Sequence, residues 1–153
     1  VKLRMRTGFP GMCILQFAFD GSDTNSYLPQ NMTENSVAYT GTHDNDTTLG
    51  FINAMSEEEF KSFKKYLRAA LETENVVYPI ATREEAAMGV NMCALASKAR
   101  LAIIPVQDLL TLDTRARMNI PSTSEGNWRF RLEKIPDRFH AAIMRKAVDE
   151  FGR

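Results

Sequence analysis

An α/β fold assembled from parallel βα units is the architecture this sequence predicts, and three observations carry it. Short apolar runs at 11–20, 37–40 and 101–104 are separated by stretches with helical spacing that are long enough for crossovers. Polar loops of unusual length follow two of these runs, where parallel sheets place their ligand sites. Three strands joined by parallel connections cannot close on themselves, so the order reads as part of a larger α/β fold.

The elements follow in order. Val1 is followed at once by Lys2, Arg4 and Arg6, and nothing there resembles a helix cap or a signal sequence, so the expectation is a chain cut from a longer one. Along 11–20 the run MCILQFAFD sets Cys13, Leu15, Phe17 and Phe19 on one side of a strand. Ile14, Gln16, Ala18 and Asp20 take the other. The first face is wholly apolar and the second turns polar, as in a strand packed by helices outside and ending at a ligand site inside.

Residues 21–34 are rich in Ser, Asp, Asn, Thr and Pro, which form turns with their own backbone and mark a long loop. A short strand at 37–40 runs into 41–48, which has neither helix nor strand character. Ser56 with Glu59 is a capping-box signature, and Phe60, Phe63, Leu67 and Leu71 then recur at helical spacing to about Glu72. A second such box, Thr82 with Glu85, opens a helix expected to end near Arg100, with Ala86, Met88, Ala94, Leu95 and Ala99 on a packed face. The apolar strand 101–104 stops at Pro105, which cannot donate to a central ladder. A polar loop follows, and a last helix from about Pro136 presents Phe139, Ile143, Ala147 and Phe151 inward, with His140 on the surface.

Nineteen basic and nineteen acidic residues cancel, so no net field draws the chain to nucleic acid or to an anionic membrane. No apolar run approaches the ~18 residues of a membrane span. Cys13 and Cys93 lie far apart, outside any CxxC pattern, and are read as buried reduced thiols of a reducing compartment.

Candidate chemistry concentrates in THDND at 42–46, a histidine among carboxylates at the expected end of a parallel strand. Two readings stand side by side: a catalytic or binding loop, and an Asx-rich turn whose side chains only cap backbone groups. His43, Asp44 and Asp46 could together meet a divalent cation, but further ligands and the spacing of a calcium loop are missing, so no metal is expected. GxSxG, GxGxxG and P-loop patterns are absent, which leaves no expected cofactor. Trp128, the single tryptophan, is expected as a core anchor, with sugar stacking the alternative.

Taken together, LRMRTGFPGMCILQFAFDG at 3–21, NSYLPQN at 25–31, VAYTGTHDNDTTLGF at 37–51 and RARMNIPSTSEGNWRFR at 115–131 resemble the amylomaltases and disproportionating enzymes, the 4-α-glucanotransferases of glycoside hydrolase family 77. The closing EFGR is similar to that family's C-terminus. The resemblance implies that 1–153 is the C-terminal part, about the last three βα units, of a (β/α)8 TIM barrel. It also implies a retaining transfer of α-1,4-glucan segments, with the nucleophile and the general acid/base upstream of this chain. Asp44 carries over as the transition-state stabiliser, with His43, Asp20 and Asn119 in contact with the sugar. Implied partners are α-1,4-glucans and maltooligosaccharides, and the implied location is the cytoplasm, or a plastid for a plant or alga. Association through exposed barrel edges is a further expectation.

Departures from the pattern stand at Cys13, where Lys is common, and at Gln30, where His is common. Thr111, Asp113 and Ser122 replace usual glycines, which puts the loop around Arg117 and Asn119 in question. The competing readings are a non-catalytic maltooligosaccharide-binding or scaffold remnant and a related α-glucan hydrolase or debranching enzyme.

Overall fold

The computed structural model describes residues 2–136 and 138–153, with the side chains of Lys2, Phe139 and His140 also outside the described set. The expectations for Phe139 and His140 therefore lie outside the described residues. The elements are α1 (Lys2–Thr7), β1 (Gly11–Ile14), β2 (Ser36–Tyr39), α2 (Thr48–Asn53), α3 (Glu57–Thr73), α4 (Arg83–Ala96), β3 (Leu101–Ile103), α5 (Val106–Leu109) and α6 (Arg138–Glu150).

Among the described residues the strands form one sheet in the order β1-β2-β3, parallel throughout, as the sequence predicts. Its register aligns Cys13 with Ala38 and Ala102, and Met12 with Val37 and Leu101. Because side chains alternate across a pleat, these two rows lie on opposite faces. The Cys13 face is covered, with Cys13 and Ala38 buried in the core. The other face is apolar and open: Met12, Leu101 and Ile103 are 58%, 56% and 44% exposed.

Helices α3 and α4 build the covered side. Each capping box forms as its sequence predicts: Ser56 Oγ accepts the Glu59 N–H and Glu59 Oε2 accepts the Ser56 N–H, and Thr82 and Glu85 repeat the exchange. Such a cap contributes about 1 kcal/mol by satisfying donors that the helix start leaves unpaired. Phe60, Phe63, Leu67 and Leu71 are all buried from α3, while α4 is buried nearly all round and forms the centre of the core. Gly89 sets that packing, since a Cβ there would press on Ile80 and Leu67.

Several boundaries differ from expectation. Strand β1 stops at Ile14, where Leu15–Phe17 tightens into a 3-10 turn closed by Ala18 N–H on Leu15 O at 2.9 Å. The alternation ends with it, leaving Phe17 exposed while Ala18 and Phe19 are buried, and Asp20 lies beyond the strand rather than at its end. Helix α4 stops at Ala96 because Ser97 is extended, and the Arg153 guanidinium donates to the Leu95 and Ser97 carbonyls beyond the helix's own bonds. The inner face of α6 is Met144, Ala147, Val148 and Phe151, one step round from the expected one, with Ile143 39% exposed. Helices α1, α2 and α5 have no counterpart in the sequence reading, being only 6, 6 and 4 residues long.

Candidate functional site

The loop 40–47 leaves the C-terminal end of β2, the middle strand, and most of its polar residues hold its own shape. Asn45 Oδ1 accepts both the Thr42 N–H at 3.0 Å and the Thr42 hydroxyl at 2.8 Å. Asp46 accepts the Thr47 N–H through Oδ1 at 2.7 Å and the Thr114 hydroxyl through Oδ2 at 2.8 Å. Gln16, in the turn after β1, donates to the Asp46 carbonyl at 2.8 Å. Gly50 makes this possible, since a Cβ there would collide with the Asp46 carboxylate and the Thr114 hydroxyl. Thr47 caps α2 by accepting the Gly50 N–H at 3.0 Å.

Asp108, in α5, clamps both ends of that loop. Its Oδ2 accepts the Thr40 hydroxyl at 2.5 Å and its Oδ1 accepts the Thr48 N–H at 2.7 Å, while Asn91 of α4 donates to its carbonyl at 3.0 Å. At 3% exposure, burial pushes the Asp108 carboxyl above its ordinary range; the Thr40 and Thr48 bonds oppose the shift and the Asp46 charge adds to it. The sequence reading missed Asp108. Its signal was an acid set in the apolar run VQDLL directly after a strand.

With Thr42, Asn45 and Asp46 turned to structural work, His43 and Asp44 are presented outward, their side chains 55% and 54% exposed. The two readings of THDND therefore divide within one motif. The Asx-turn reading holds for its flanks, while the side chains of the presented pair take no part in holding the loop's shape. His43 Nε2 lies 3.4 Å from Asp44 Oδ1, and Asn119 donates to that same oxygen at 2.6 Å. Arg117 fixes the arrangement, giving Nη2 to the Asp44 carbonyl and Nε to the Asn119 carbonyl, both at 2.8 Å. Among the described residues Asp44 Oδ2 accepts no hydrogen bond, so one carboxylate oxygen is held and the other faces outward.

Thus three of the four expected site residues come together. Asp20 is held elsewhere, accepting the Ser22 N–H and the Asn25 side-chain amide at 2.9 and 3.0 Å in a depression it shares with Phe51 and Tyr66. Trp128 is not the expected core anchor. It is 55% exposed, its ring stands 5.1 Å from that of His43, and both line a cleft of about 180 Å³ with Thr42, Gln107, Arg117 and Met118. Among the described residues no three His, Cys, Asp or Glu side chains converge as a metal would require, and Asp46 is spent on Thr47 and Thr114. Cys13 and Cys93 are both buried and unpaired, and burial raises both thiols. No helix among the described residues is long and apolar enough to cross a membrane.

Comparison with known proteins gives this arrangement its context. The family model described as 4-alpha-glucanotransferase, that of glycoside hydrolase family 77, matches residues 1–136. The 4-alpha-glucanotransferase of Thermus thermophilus is 44% identical over 158 aligned positions, covering 99% of this chain and 30% of the relative. The chloroplastic/amyloplastic enzyme of Oryza sativa is 44% identical over 132, covering 86% of this chain and 20% of that one. Among solved structures, the amylomaltase of Streptococcus agalactiae in complex with acarbose superposes with a TM-score of 0.82 at 30% identity, over 99% of this chain and 29% of its own. The amylomaltase of Corynebacterium glutamicum, 15% identical with a TM-score of 0.64 over 99% of this chain and 26% of its own, shares the fold. The chain spans between a fifth and a third of the length of these relatives. On the family match and these identities, this chain belongs to the 4-alpha-glucanotransferases of glycoside hydrolase family 77.

Proposed function

We propose that these 153 residues form the C-terminal βα units of a (β/α)8 barrel that transfers α-1,4-glucan segments to an acceptor sugar with retention, and that Asp44 is its transition-state stabiliser. The observation that carries this is Asp44 itself, on the loop after the middle parallel strand, with Oδ1 held by Asn119 and flanked by His43. Loops at that end of parallel strands are where barrel enzymes assemble their sites.

The open apolar face of the sheet supports the barrel. Parallel sheets are covered on both faces, and the row of Met12, Val37 and Leu101 corresponds to side chains that fill a barrel interior. Retaining transfer uses two carboxyls about 5–5.5 Å apart, one to form the glycosyl-enzyme and one to give and take the proton. By this reading both come from sequence outside the 153 residues, and the chain alone is inactive. Asp44 Oδ2 accepts hydroxyl hydrogens of the transferred sugar, and those bonds strengthen as the ring flattens and gains positive charge. His43 and Asn119 donate to the same sugar, while Asp20, its carboxylate taken up by Ser22 and Asn25 in a separate depression, has no part in this reading. The ligand named with the Streptococcus agalactiae relative agrees with an oligosaccharide cleft here. The setting is the cytoplasm of a bacterium, or a plastid like that in the rice relative's name.

The test is disproportionation of maltotriose, followed as glucose release and longer-chain formation. It compares the 153-residue chain with a version extended upstream through the nucleophile and acid. Activity in the extended protein only, abolished by Asp44→Ala, is the expected result. Transfer by the short chain itself would move the nucleophile and acid into the residues described above.

A further inference from the structure

Trp128 is held in a backbone conformation that an aromatic residue adopts at a cost. Its φ is +62°, in the left-handed region where a Cβ crowds the neighbouring carbonyl. The surrounding loop is built to impose it. Trp128 N–H reaches the Met118 carbonyl at 2.7 Å, Asn127 Oδ1 accepts the Ile120 N–H at 2.8 Å, and the Asn127 amide ties to both the carbonyl and the hydroxyl of Thr123. That strain is not offset by burial of the indole, which stays 55% exposed. A strained residue fixed by its neighbours and kept in solvent is placed for what it meets there.

What it can meet is defined by its surroundings. The indole tilts 38° against His43 with ring centres 5.1 Å apart, so imidazole backs part of one face while the exposed remainder looks onto the cleft. Next to the cleft, Asp44 beside His43 on loop 40–47 and Asn119 on the same loop as Trp128 supply a carboxylate and an amide, though neither is among the residues that line it. Hexoses carry hydroxyls round their edge and C–H groups on their faces, so a flat apolar wall beside a carboxylate and an amide suits one sugar unit.

We infer that Trp128, backed by His43, is a binding residue for the glucan, a stacking wall for a glucosyl unit in the cleft that contains His43. This rests on the proposed function, because it takes the cleft's ligand to be an α-1,4-glucan. It goes beyond it in making affinity depend on an aromatic surface outside the THDND motif.

The test is maltotriose titration of the full chain, read by the emission of its single tryptophan and by calorimetry, with melting temperatures recorded alongside. Trp128→Gly removes the indole and suits φ +62°, so binding is expected to weaken about tenfold or more while the melting temperature holds or rises. Trp128→Phe keeps an aromatic face and stays within roughly threefold. Loss of binding together with a lowered melting temperature in Trp128→Gly identifies a packing role and overturns the inference. So does maltotriose binding that leaves the emission unmoved, or wild-type affinity in Trp128→Gly. None of those results touches the proposed function, which is decided by transfer and by Asp44→Ala in the extended protein.

Discussion

Asn119 donates its side-chain amide to Asp44 Oδ1 at 2.6 Å, joining loops 75 residues apart in the sequence. Arg117 bridges the same two backbones, so the carboxylate has one oxygen fixed and the other directed outward.

A hydrogen bond to a charged group contributes about 1.5–3 kcal/mol. If Asn119 orients Asp44 for the transition state, Asn119→Ala in the upstream-extended protein lowers kcat for maltotriose transfer about 10- to 100-fold. Unchanged kcat in Asn119→Ala would show that Asp44 does not depend on this hydrogen bond for its orientation.

Asp108 is expected to act at a distance from the sugar, through the two ends of loop 40–47. Asp108→Ala leaves the Thr48 N–H and the Thr40 hydroxyl without their buried partner and should cost about 1–3 kcal/mol in urea unfolding. Asp108→Asn, which refills the space and keeps an acceptor, should recover most of it.

The same residue sets a pH dependence with a definite sign. Burial raises the folded-state pKa of Asp108, so folding favours its neutral form. The associated stability is fully present below the ordinary Asp value of about 4 and is lost as pH rises through the raised folded value. Unfolding midpoints taken from about pH 4 upward should therefore fall more in wild type than in Asp108→Asn. Parallel curves would remove Asp108 as the source.

Much of this was legible in the sequence because it was local. Ser56 with Glu59 and Thr82 with Glu85 are reciprocal bonds three residues apart, so both helix starts could be read directly. His43, Asp44 and Asn119 were legible through resemblance. Spacing alone could not separate an Asx turn from a presented pair, since that division rests on Asp46 reaching Thr114 and Thr40 reaching Asp108, each 68 residues away. Strand β1 was read too long because Leu15, Ala18 and Phe19 are buried from a turn, where apolar residues no longer alternate. Asp108 and the exposure of Trp128 are tertiary facts with no local periodicity to announce them.

The replaced glycines make a fourth prediction. Thr111 and Ser122 hold φ of +53° and +66°, the conformation a glycine would take there, whereas Asp113 at −79° does not. The loop around Arg117 and Asn119 thus keeps its path at a local cost. Thr111→Gly and Ser122→Gly should each stabilise by about 0.5–1 kcal/mol, the relieved strain partly offset by the entropy of a freer unfolded chain. Asp113→Gly, which also removes the carboxylate that Arg115 engages, should not stabilise. Thermal melts of the three variants decide it.

The open sheet face leads to the last. Met12, Leu101 and Ile103 lie exposed on one side of a parallel sheet, and β1 and β3 each pair on one edge only among the described residues. Unpaired edges and a contiguous apolar face drive association. The 153-residue chain should therefore sediment as concentration-dependent oligomers. Met12→Gln with Leu101→Gln should shift it toward monomer without loss of helical circular dichroism, since neither side chain belongs to the buried core. In the upstream-extended protein the same pair should instead destabilise, because the proposed barrel would cover that face with the remaining strands' side chains. A wild-type chain that stays monomeric with a cooperative melt at ordinary concentration would mean that this face is satisfied by solvent, and the barrel-interior assignment of Met12 and Leu101 would have to be withdrawn.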